Sequence, residues 1–259
     1  MKKSKVIVRL ALAATAVTLC LGNAPVRASE SDDKVEAAFK NSYVAKTYLT
    51  DDAIQAKCKD GVVTLSGTVE AESHKFLAAE TAASQNGVSR VDNKLETKAE
   101  AAADNADLWI GRKVKMTLLF HRHVNAHKTS IAVKDCVVTL TGEASSLAQK
   151  ELTTEYALDI EGVKLLKNDM TVAATPEPAE QMAGAKMDDA SISAQVKTAL
   201  WTHRSTSSVK TKVETRDGAV TLTGIAKNDA EKALVSKLVN DIQGVTSVHN
   251  EMTVEVIKI

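Results

Sequence analysis

Three stretches of the chain are near-copies of one another. KDGVVTLSG at 59–67 returns as KDCVVTLTG at 134–142 and as RDGAVTLTG at 216–224. A shift of 75 residues lays the first copy on the second, and a shift of 82 lays the second on the third, with no gap inside a copy. A period of this length is the mark of a repeated folding unit. It sets the number of domains at three and confines any function to one of two forms, a site built once or a surface built three times.

Each copy carries the same order of local signals. An apolar stripe comes first: Val35, Phe39 and Tyr43, then Ile110, Val114 and Leu118, then Ile192, Val196 and Leu200. A recurrence every four residues predicts a helix with one buried face. Period-two alternation follows, at Ile54, Ala56 and Cys58 and their counterparts, as in a half-buried strand. Asp60-Gly61 and Asp217-Gly218 predict type I′ hairpin turns. Cys136 stands where the other copies have glycine, so the second turn is expected to be strained or of another type. The second strand ends at Gly67, Gly142 or Gly224, read as steric requirements. Asn228 with Glu231, and Ser146 with Gln149, are capping pairs for a second helix that stops at Gly87, Gly162 or Gly244. A last strand holds Asn93, Asn168 or Asn250. The expected fold is therefore α+β. It has three tandem αββαβ domains, each a three-stranded mixed sheet with two helices on one face and its second and third strands parallel. Units of this size lie near the lower limit for an unaided core, so docking between them is expected to help.

The ends and joints read differently. Residues 1–28 combine Lys2, Lys3, Lys5 and Arg9 with an apolar run from Leu10 to Leu21, the pattern of a secretory signal cleaved after Ala28. Leu19 before Cys20 disfavours a lipidation signal there. The segment takes five of the 33 Lys and Arg with it and none of the 33 Asp and Glu, leaving a net charge of −5. That balance argues against a general nucleic-acid binder. No later apolar run is long enough to span a bilayer. The expected domains are 32–98, 106–173 and 188–256, with 174–187 as a linker. Pro176 and Pro178 in that linker predict a stiff spacer that holds the second and third domains further apart than the first and second. Cys58 and Cys136 occupy different positions of their repeats and are expected to be unpaired.

These residues resemble the BON domain family. Its helix, strand–turn–strand, helix and G-V-x-x-V-x-N pattern is matched at Gly67, Gly87, Val88 and Asn93. The second copy matches at Gly142, Gly162, Val163 and Asn168, and the third at Gly224, Gly244, Val245, Val248 and Asn250. The resemblance implies a periplasmic, non-enzymatic protein of envelope integrity or stress. The partners it implies are anionic phospholipid on one side, or outer-membrane and exported proteins held by a chaperone or scaffold on the other.

Catalytic signatures are absent: there is no G-x-S-x-G, H-E-x-x-H, phosphate loop or zinc-spaced cysteine pair, and no cofactor is expected. His121, His123 and His127 could in principle ligate a metal, but no carboxylate or thiol lies among them, so the reading is a solvated basic loop. The segment after each first helix carries Lys46, then Arg122 and His123, then Trp201, His203 and Arg204. Cations beside an aromatic suit an anionic membrane surface. The other reading packs Trp201 in the core or between domains.

Overall fold

The computed structural model describes residues 26–98, 106–174, 187–206 and 210–255. Residues 1–25, which hold most of the expected signal and Cys20, lie outside the described residues, as does 175–186 of the expected linker. The first unit comprises α1 (Val26–Asn41), α2 (Tyr43–Thr47), β1 (Ala53–Lys59), β2 (Val62–Val69), α3 (Glu72–Ala83) and β3 (Arg90–Thr97). The second comprises α4 (Ala106–Phe120), β4 (Thr129–Lys134), β5 (Val137–Ala144), α5 (Leu147–Leu158), β6 (Leu165–Asn168) and β7 (Thr171–Val172). The third comprises α6 (Asp189–Thr202), β8 (Thr211–Arg216), β9 (Ala219–Ala226), α7 (Asp229–Asn240), β10 (Ser247–Asn250) and β11 (Thr253–Val254). In every unit the middle strand pairs antiparallel with its hairpin partner and parallel with the last strand. This is a repeated α+β fold with mixed sheets. The first helical stripe breaks early in the first unit, where the Ser42 hydroxyl donates to the Phe39 carbonyl and accepts from the Ala45 amide.

One carboxylate per unit organises the hairpin. Asp32 accepts from the Asp60 and Gly61 amides, Asp107 from Asp135 and Cys136, and Asp189 from Asp217 and Gly218, at 2.7–3.1 Å. Each ties the start of the first helix to the turn. The tie explains how Cys136 is tolerated. Asp135 and Cys136 sit at φ 55° and 63°, beside 51° and 75° for Asp60 and Gly61. The same type I′ turn is kept and Cys136 bears the left-handed strain. The glycines that end β2, β5 and β9 are steric: a Cβ at Gly67, Gly142 or Gly224 would lie 1.9, 2.0 or 1.9 Å from a carbonyl oxygen of the neighbouring strand.

The shared asparagines join the last strand to the second helix. The Asn93, Asn168 and Asn250 side-chain amides donate to the carbonyls of Lys75, Lys150 and Lys232, and their oxygens accept from the amides two residues on. Both capping pairs form. Ser146 and Asn228 accept from the Gln149 and Glu231 amides, whose side chains return to the amides of Ser145 and Lys227.

The units are docked against one another. One apolar core runs without a break from the first unit, through Val44, Leu65 and Leu77, into the third, through Ile192, Leu200 and Leu222, and takes in Met116 and Phe120 of the second. The prolines of the linker do not hold the second and third units apart, because the two share paired backbone (below). Proline stiffens the chain locally but does not fix where the two ends of a linker lie.

Candidate functional site

The three units meet at a column of side chains to which each contributes. Phe76 on α3 stacks on Trp201 on α6, with centroids 4.8 Å apart and planes at 13°. The Lys113 ammonium of α4 lies 4.9 Å from the Trp201 ring centroid and 3.3 Å from that of Trp109. Lys113 is 1% exposed and ion-pairs with Glu161 at 3.2 Å. Burial pulls its pKa down, and Glu161 opposes the shift. Two indole rings and one carboxylate offset part of the cost of burying an ammonium there. Nearby, Tyr48 packs edge-on against Phe120 and sits within 3.4 Å of the Leu119 carbonyl and Gln195. Burial raises its pKa. Lys197 and Glu80 pair at 2.7 Å across the seam of the first and third units, and Arg112 binds Glu70 across that of the first and second.

A second feature joins the second and third units by a reciprocal exchange. Residues 120–122, at the end of α4 and just beyond it, dock on the C-terminal end of α7. The Phe120 carbonyl accepts from the Gln243 amide, the Arg122 amide donates to the Asp241 carbonyl, and His121 bridges Ile242. Residues 202–204, at the end of α6 and just beyond it, repeat this on α5, with Thr202 and Glu161, Arg204 and Asp159, and His203 bridging Ile160. Each arginine then caps the helix end it meets. Arg122 donates to the carbonyls of Ile242 and Val245 at 2.7 Å, and Arg204 to those of Leu158, Ile160 and Val163. Leu158 ends its helix, and the other four carbonyls belong to the turns that follow α5 and α7, so each guanidinium pins that turn and lies near the negative end of the helix dipole. Ile160 and Ile242, at 1% and 0% exposure, fill the two centres. The exchange has pseudo-twofold symmetry, since every backbone pair is related by the 82-residue shift; the Arg204–Leu158 bond has no counterpart at Arg122.

Both joint histidines are buried. His121 stacks on Tyr156 at 3.8 Å, its Nδ1 has no hydrogen-bond partner, and Tyr156 donates to Asp241 at 2.9 Å. Burial, with smaller repulsion from His203 and His123, pulls the His121 pKa down to about 4, against the pull of Asp241. The His203 Nδ1 accepts from the Ser205 amide. Its Nε2 has no hydrogen-bond partner, with Asp159 at 3.7 Å. Burial and then Arg204 lower its pKa, and Asp159 raises it.

These joints redistribute the residues expected at a membrane. Trp201 and His203 are consumed in packing between units, and the Arg122 and Arg204 guanidiniums are spent on carbonyls of the neighbouring unit. Lys46 and His123 are exposed. The histidine triplet does not converge: His121 turns into the joint while His123 and His127 face solvent, and no group of three metal-ligating side chains occurs among the described residues. Cys58 and Cys136 are free thiols. The Cys58 thiol donates to Asp32, and burial and then that carboxylate push its pKa up to about 11.

Sequence reasoning did not single out the joint, yet a signal existed. His-Arg after the first helix and Asp-Ile after the second occur together in copies two and three. The same columns in copy one read Lys46-Thr47 and Ser84-Gln85. The four positions change as a set, as complementary surfaces do.

Two open clefts lie among the described residues. One of about 660 Å3 lies between α1, α2 and β1, with Phe39, Leu49 and Ile54 on its floor and Asp33, Lys40 and Lys57 at its edge. The other, of about 490 Å3, lies on the seam of the first and third units beside Phe76, Lys197, Lys210 and Lys212.

The fold and the site together describe an array of small αββαβ modules whose shared residues hold backbone in place. The chain belongs to the BON domain family, whose profile matches residues 31–99, 106–174 and 188–256. It is 27% identical over 185 residues to the osmotically-inducible protein Y of Escherichia coli, covering 66% of this chain and 90% of that protein. Among solved structures it matches CdsD, a structural protein of the type III secretion system of Chlamydia trachomatis, at 15% identity and a TM-score of 0.22, over 86% of this chain and 92% of that one. It also matches the CdsD C-terminal domain, at 16% and 0.20 over 86% and 96%. Scores that low carry no weight for the fold.

Proposed function

We propose that this chain is a non-enzymatic periplasmic protein of the osmotic or envelope-stress response whose BON modules contact anionic phospholipid. Family membership and the likeness to osmotically-inducible protein Y support the cellular role. The observation that carries the lipid reading is the exposure of large apolar side chains at the two ends of the second unit. Leu147 at the start of α5 and Leu165 at the start of β6 are 61% and 65% exposed, and the exposed Lys164 adjoins Leu165. Lys46 is a further exposed cation left for such a surface, and His123 a further exposed polar side chain. Each well-placed cation contributes about 1 kcal/mol at an anionic bilayer. Cosedimentation with phosphatidylglycerol vesicles is expected at low salt, weakening as salt rises and weaker in L147S/L165S. Binding that ignores salt, or no binding, removes this reading.

A second reading, a chaperone or scaffold for exported polypeptides, is favoured by the apolar floor of the first unit's cleft. It predicts suppression of client aggregation that L147S/L165S leaves intact and that Ala45→Trp at the cleft abolishes.

A further inference from the structure

We propose that the joint between the second and third units is acid-sensitive, and that it opens when its two buried histidines take up protons while each unit stays folded. The argument begins with placement. His121 and His203 are the same column of the repeat, each forms the backbone bridge at one half of the exchange, and each has a ring nitrogen without a hydrogen-bond partner. The copy that takes no part in the exchange carries Lys46 there, exposed. Each ring belongs to a segment that docks on the end of a helix of the other unit.

The charges around each ring are unequal to the task of accepting a proton in place. His121 faces Tyr156 and, beyond it, Asp241, whose carboxylate is already engaged by the Tyr156 hydroxyl; a charge on His203 or His123 would repel a proton taken up here. His203 faces Asp159 at a distance too long for a hydrogen bond, with Arg204 beside it. A proton therefore creates a buried cation with incomplete compensation, whereas the opened joint offers water.

The sign follows from linkage. Both rings are held below their ordinary value in the docked form. Docking is at full strength above about pH 6.5, where the rings are neutral in either form, and weakens as the pH falls toward the docked value, about 4 for His121. His121 alone shifts the opening equilibrium roughly twentyfold between pH 7 and pH 5.

Amide hydrogen exchange by NMR on the full chain tests this. The amides of Arg122, Glu161, Arg204 and Gln243 donate across the joint, and those of Val138 and Val220 report the central strands. After correction for intrinsic rates, the four joint amides should lose protection by roughly twentyfold or more from pH 7 to pH 5, with the strand amides unchanged. H121Q and H203Q should each keep part of the loss, and the double variant none. Three results overturn the proposal: unchanged joint protection in the wild type, a full loss in both single variants, or loss at the strand amides in step with the joint. If the double variant does not fold, the two single variants decide.

Discussion

Removing both joint arginines gives the sharpest energetic test of the docked arrangement. Arg122 holds two carbonyls at the end of α7, and Arg204 holds three at the end of α5. Hydrogen bonds to a charged group contribute about 1.5–3 kcal/mol when sheltered. Both side chains are exposed overall, and the freed carbonyls can bind water, so a lower range of about 1–2 kcal/mol per arginine is appropriate. The pair then contributes about 2–4 kcal/mol to docking, a factor of roughly 30 to 1,000. Trp109 and Trp201 both lie in the junction column, so tryptophan fluorescence reports docking while circular dichroism reports the units themselves. In urea the wild type should lose both signals together. In R122A/R204A the fluorescence midpoint should fall by about 1–2 M, ahead of the circular dichroism. Coincident transitions within about 0.2 M of wild type would refute the reasoning. The symmetry adds a constraint: the single variants should shift the fluorescence by similar amounts.

Three further outcomes follow from the units. C136G relieves left-handed strain and should stabilise the second unit by about 0.5–1 kcal/mol, read as a higher thermal midpoint. G224A places a methyl group 1.9 Å from the Lys210 carbonyl oxygen at φ +132° and should cost more than about 2 kcal/mol, enough to lower the third unit's melting markedly. The Asp60 and Gly61 amides, and next the Cys58 thiol, hold the Asp32 pKa below the usual carboxylate range. Its contribution is present above about pH 3.8 and lost as the pH falls through the folded value, so melts between pH 5 and pH 2 should flatten in D32N.

The repeated unit was legible because its determinants are local. Asp60-Gly61 marks its turn, Asn228 its cap and Gly142 its strand end, each by residue types that stand at the place they shape. Asp32, Asp107 and Asp189 were harder to read, because their partners lie 28 and 29 residues away. Their matched columns were the available sign. Trp201 was ambiguous for the reason that makes it useful: an indole suits a membrane surface and a domain seam equally, and only its neighbours Phe76 and Lys113 decide. Lys113 itself reads as a surface charge, since nothing local announces that two indole rings and Glu161 will enclose it. The linker prolines misled because local stiffness says little about distance. The joint could have been read only from correlated columns, where His-Arg and Asp-Ile appear in two copies and vanish together from the third.

The central claim is that the three modules form one docked body, closed by the reciprocal exchange between the second and third. Backbone 15N relaxation at neutral pH measures this directly. A single overall correlation time shared by the amides of all three units is the predicted result. Separate, shorter correlation times, with the third unit tumbling apart from the second, would contradict the account.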